Sequence, residues 1–110
     1  MRRFALILLV WPGILAADTF RPLTGAQILD ALSRRTLAYD NGATQVFEPS
    51  MATQYFSGRP SSGRWAVRDD RYCSIWPPSD FWACYDVQSD GTRIRFVGEA
   101  GDATVGVYAD

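Results

Sequence analysis

Residues 64–97 read RWAVRDDRYCSIWPPSDFWACYDVQSDGTRIRFV, four short runs of apolar and polar alternation separated by Asp69-Asp70, Pro77-Pro78-Ser79-Asp80 and Asp90-Gly91. Strands of this length between such turn residues form an antiparallel meander. Folding about the proline turn sets Tyr72 opposite Tyr85, Cys73 opposite Cys84, Ser74 opposite Ala83, Ile75 opposite Trp82 and Trp76 opposite Phe81. A two-residue turn at Asp69-Asp70 pairs Val67 with Tyr72, and one at Asp90-Gly91 pairs Tyr85 with Phe96 and Val87 with Ile94. A slip of one residue would move a whole strand's side chains to the other face, so agreement among the three registers is a real constraint. The shared face carries Trp65, Val67, Tyr72, Trp76, Phe81, Tyr85, Val87, Ile94 and Phe96, which is the expected core.

Outward from this stretch, turn signals recur at Asn41-Gly42, Glu48-Pro49-Ser50, Gly58 to Gly63 and Gly98 to Asp102. Asn41-Gly42 as a hairpin turn places Leu37 opposite Val46 and extends the apolar surface. Residues Leu23 to Arg35 read as one helix. Thr24 is its N-cap, Gln27 closes a capping box, Leu23 staples against Ile28, and Ile28, Leu29 and Leu32 share a face, with Arg34 and Arg35 in the last turn. The expected fold is α+β and mainly β: one N-terminal helix packed on an antiparallel sheet of about eight strands, strongly curved or closed into a small barrel. In so short a chain Trp65, Trp76, Tyr72, Tyr85 and Phe96 are expected to fill the interior, and Gly58 to Gly63 to form a flexible loop.

Cys73 and Cys84 are the two cysteines of the chain. Directly opposed across adjacent strands, they read as a structural disulfide that stabilises by roughly 3 kcal/mol in the chain-entropy model. Their spacing is not that of a CxxC redox or metal site. The first residues, MRRFALILLVWPGILAA, have a charged start, an apolar run and a small-residue exit, the pattern of a secretory signal peptide over residues 1–17. The apolar run is shorter than the ~20 residues of a membrane-spanning helix, so no transmembrane anchor is expected. The mature chain, residues 18–110, is then a single small disulfide-bridged domain in the periplasm or outside the cell.

Without residues 1–17, nine arginines face twelve acidic residues, a balance that argues against a nucleic-acid partner. The chain has no histidine, which removes the usual general base and the commonest metal ligand. None of the Asp-Gly turns matches the D-x-[DN]-x-[DN]-G calcium loop, so no metal or cofactor is expected. The face opposite the core gathers Arg64, Arg68, Arg71, Arg93 and Arg95 around Trp82, with Asp86 opposite Arg95. Clustered guanidinium groups beside an aromatic anchor suit an anionic partner, such as an anionic glycan or an envelope protein. The leading expectation is a non-enzymatic binding or interaction module using that face. A barrel holding an apolar ligand in its aromatic interior is the alternative, and an envelope hydrolase working through paired carboxylates comes last.

The opening leader, LTGAQIL, TLAYDNGATQVF, the G-x-W, YCS-x-W and W-x-C-Y elements of residues 63–85, and DGTRIRFVG together resemble a group of short exported proteobacterial hypothetical proteins. The resemblance implies export and a small disulfide-bridged β domain, with no assigned activity. At the level of architecture alone, such a domain is also similar to periplasmic lysozyme-inhibitor proteins.

Overall fold

The structure is a computed structural model that describes residues 19–110; the expected leader at 1–17 lies outside the described residues. The elements run β1 (Arg21–Pro22), α1 (Gly25–Leu32), β2 (Arg35–Tyr39), β3 (Thr44–Phe47), β4 (Ala52–Phe56), β5 (Pro60–Arg68), β6 (Arg71–Ile75), β7 (Ala83–Ser89), β8 (Arg93–Val97) and β9 (Ala103–Tyr108). Each of β2 to β9 pairs antiparallel with the next, and β9 returns to pair with β2. The expected meander is therefore a closed eight-stranded up-and-down barrel, and closure leaves these eight strands without a free edge. The short β1 adds to the C-terminal half of β7, pairing Arg21 with Ser89 and Pro22 with Gln88.

An up-and-down order puts alternate turns at opposite ends of the barrel. The 48–51, 69–70 and 90–92 turns lie at one end, and the 40–43, 57–59, 76–82 and 98–102 connections at the other. Helix α1 closes the first end, packing against β2, β5 and β6. Its capping box is formed as expected: Thr24 Oγ1 accepts from the Gln27 amide and Gln27 Oε1 accepts from the Thr24 amide. Asp70 in the β5–β6 turn accepts from the Gly25 amide at 2.6 Å, tying the helix start to that hairpin. Asp69 and Asp70 both have positive φ, 51° and 59°, the backbone that a two-residue type I′ turn requires. Ile28 and Leu32 are fully buried and complete a lower core with Leu37, Phe47, Trp65, Val87 and Ile94.

The central registers hold where β5, β6 and β7 meet: Val67 pairs with Tyr72, Tyr72 with Tyr85, and Cys73 with Cys84, the last pair joined by the expected disulfide. Other expectations need correction. Helix α1 ends at Leu32; Arg34 takes a positive φ of 68° and Arg35 already belongs to β2, so neither sits in a last helical turn. Leu29 is exposed, because one short helix laid across the barrel end buries only the Ile28/Leu32 stripe. Leu37 faces Gln45 and not Val46. The connection there is the three-residue Asp40-Asn41-Gly42, with Gly42 at φ 90° and the Tyr39 amide donating to the Ala43 carbonyl, and the extra residue flips β3 relative to β2.

Between β7 and β8 the register slips by two, pairing Val87 with Phe96 and Ser89 with Ile94. The Asp90 carboxylate accepts from the Thr92 and Arg93 amides at 3.0 and 2.7 Å and the Asp90 amide donates to the Arg93 carbonyl, which moves the turn one residue along to Gly91-Thr92. An even slip keeps the core face but breaks the expected Asp86–Arg95 pair: Asp86 lies opposite Val97, and Arg95 opposite Gln88. The β6–β7 ladder stops at Ser74↔Ala83, so Ile75/Trp82 and Trp76/Phe81 are not strand pairs, and Phe81 is 75% exposed instead of core. Pro60 to Gly63, expected in a flexible loop, opens β5 and pairs with β4.

Candidate functional site

The end of the barrel opposite α1 is open. Inward-facing positions of β2, β3, β4, β6, β7, β8 and β9 form a cup of about 240 Å³ there. Six aromatic rings line it, Tyr39, Tyr55, Tyr72, Trp76, Tyr85 and Phe96, together with the uncharged polar side chains of Asn41, Gln45, Ser74 and Thr104. The expectation of a filled interior holds in part: Trp65, Tyr72 and Phe96 are buried in the core, but the mouth above them is open. Phe47 and Trp65 fill the lower storey, meeting edge-on with centroids 5.7 Å apart, while the upper storey stays hollow. Two glycines help to make the room. A Cβ at Gly63 would lie 2.6 Å from the Trp76 ring and one at Gly106 would lie 3.0 Å from the Tyr39 ring, so each ring packs close against bare backbone.

The floor of the cup is a buried polar network. The Tyr39 hydroxyl donates to Gln45 Oε1 at 2.5 Å, and Gln45 Nε2 donates to Thr53 Oγ1 at 2.8 Å and to the Tyr72 hydroxyl at 3.0 Å. Thr53 Oγ1 donates in turn to the Val46 carbonyl at 2.7 Å. Trp76 Nε1 donates to Ser74 Oγ at 3.2 Å, standing the indole on the β6 wall. Gln45, Thr53 and Ser74 are all nearly fully buried, so these bonds offset a desolvation cost that an unpaired amide or hydroxyl would incur in full. Burial pushes the Tyr72 phenol up to about 12 and raises Tyr39 further, with the neighbouring tyrosines adding to the effect. Both phenols stay protonated at neutral pH, and the cup resists negative charge.

The arginines expected to bind lie on the outer surface, and Arg68, Arg71, Arg93 and Arg95 each lie against a neighbouring side chain. Arg71 is half-buried, with Nε 3.3 Å from Asp86 and Nη1 3.3 Å from Glu99, while Nη2 donates to the Cys84 carbonyl at 3.2 Å. Arg93 pairs with Asp90 at 2.7 Å. The Arg95 guanidinium lies 4.0 Å over the Phe20 ring and donates to Gln88 Oε1 at 2.7 Å. Arg68 stacks 4.4 Å over Trp82, the one expected arginine to reach that anchor, and Arg64 is exposed on β5.

Sequence reasoning placed Tyr72, Trp76, Tyr85 and Phe96 correctly on the inner face but missed Tyr39, Asn41, Gln45, Tyr55, Ser74 and Thr104 as a site. The available signal was the choice of Tyr over Phe at four inward positions, together with polar Gln45 and Thr53 in alternation with apolar neighbours. Comparison with protein families, curated proteins and solved structures finds no match for this chain.

Proposed function

We propose that the protein is a non-enzymatic binding module that holds a small ligand in the open end of its barrel. The observation that carries this reading is the hollow upper storey: a 240 Å³ cup with six aromatic walls and a hydrogen-bonded polar floor, above a core that is otherwise solidly packed. Interior positions of small barrels are ordinarily filled by side chains, and a concave aromatic site with a few convergent polar groups is the usual form of a ligand pocket. Binding is favoured over turnover because the lining contains no carboxylate or arginine, and burial holds the protons of Tyr39 and Tyr72 too tightly for either to act as a base near neutral pH. The disulfide supports an exported protein of the periplasm or extracellular space.

Thr104→Trp places a large side chain in the cup from the β9 wall. Native mass spectrometry of the mature protein incubated with a small-molecule panel is expected to show a retained ligand that this variant loses while keeping the wild-type circular dichroism. Equal retention by both proteins would contradict the reading. An anionic partner on the outer arginine face is the second reading, favoured by the Arg68–Trp82 stack.

A further inference from the structure

Resting on the ligand-cup reading, we infer that the cup takes the terminal ring of a neutral saccharide and that the exposed Phe81 shelf carries the next ring of the chain. Size is the first argument. An apolar cavity of about 150 Å³ admits benzene, so 240 Å³ leaves room for a six-membered ring bearing hydroxyl groups. Chemistry is the second. The faces of a sugar ring present C–H groups, which suit the negative faces of aromatic rings, and its edge presents hydroxyls that both donate and accept. Tyr55, Trp76 and Tyr85 supply the faces, while Asn41, Ser74 and Thr104 supply neutral donors and acceptors around them. Asn41 already bonds the Tyr55 hydroxyl and the Ala43 amide, and Ser74 accepts from Trp76, but a purely apolar ligand would shut their remaining donor and acceptor capacity away from water. An anionic one would meet a site where burial already holds the Tyr39 and Tyr72 phenols neutral, and where Glu99 and Asp102 stand by the shelf.

The shelf supplies the third argument. Tyr85 lines the cup and also a second hollow of about 210 Å³ with Phe81, Trp82, Glu99 and Asp102. Phe81 is 75% exposed and contributes nothing to the core, so its ring is free to serve as a platform at the side of the mouth. The carboxylates of Glu99 and Asp102 can accept from sugar hydroxyls there.

The test is a tryptophan-fluorescence titration of the mature protein, with Trp76→Phe identifying the reporting indole. The probes are a neutral monosaccharide, its tetrasaccharide, an oligogalacturonate and the neutral apolar probe N-phenylnaphthylamine. The neutral tetrasaccharide is expected to bind, with Tyr55→Leu weakening it about tenfold and the surface variant Phe81→Ala about fivefold. Phe81→Ala should leave monosaccharide binding unchanged. Binding of N-phenylnaphthylamine, abolished by Thr104→Trp, with no neutral saccharide bound at millimolar concentrations, would overturn the sugar assignment and leave the ligand cup standing. Preference for the oligogalacturonate would likewise overturn neutrality. Failure of every probe to perturb Trp76 would overturn both readings.

Discussion

Gln45 shows how much one side chain decides. It sits inward on β3 only because the three-residue 40–42 connection shifts that strand by one, and from there it joins Tyr39, Thr53 and Tyr72 into one network. Gln45→Leu keeps the volume but leaves buried hydroxyls short of partners. It is expected to cost about 1 to 3 kcal/mol, read by urea denaturation with an unchanged m-value. The same phenols impose a pH dependence. With Tyr39 and Tyr72 raised above the ordinary value of 10.0, the unfolded chain loses these protons first as pH rises. Stability is therefore fully present below pH 10 and falls as pH climbs through the folded Tyr72 value of about 12. Melting temperatures from pH 8 to 11 should decline beyond pH 10, and less steeply in a Tyr72→Phe variant; a flat wild-type profile would count against the buried network.

At the scale of elements, the legible parts were those with local signals. The capping box of α1 was readable from Thr24 and Gln27, and the β5–β6–β7 registers from the Asp69-Asp70 turn and the opposed cysteines. Illegible from sequence was whatever a turn's own hydrogen bonds decide. The Asp90 carboxylate moves one turn a residue along the chain and so slips the register by two, and Gly42 lengthens another turn by one. The first change is silent for the core because strand side chains repeat every two residues; the second inverts a strand. Of these elements, the β6–β7 hairpin has a covalent lock. Replacing both Cys73 and Cys84 by Ala is expected to lower unfolding free energy by about 2 to 4 kcal/mol, a marked fall in melting temperature for a chain of this size. An unchanged melting temperature would show that the hairpin needs no such constraint.

For the whole molecule, the barrel divides its interior between two tasks. The helix end is packed with Ile28, Leu32, Phe47 and Trp65 and supplies stability, while the mouth sets its tyrosines around a hollow. Closure was readable only as one of two options, because the pairing of β9 with β2 joins segments more than sixty residues apart and leaves no local trace. The hollow was not readable, since it depends on Trp76 packing close on Gly63 and on Tyr39 packing close on Gly106, the latter across strands distant in sequence. The most direct test of the cup is a nitrogen-15 NMR titration of the mature protein with a neutral tetrasaccharide, following backbone shifts residue by residue. Our account predicts that the shifts cluster at Tyr39, Asn41, Tyr55, Tyr85 and Thr104 and continue to Phe81. Shifts confined to Arg64, Arg68, Arg71, Arg93 and Arg95, or none at millimolar ligand, would contradict it.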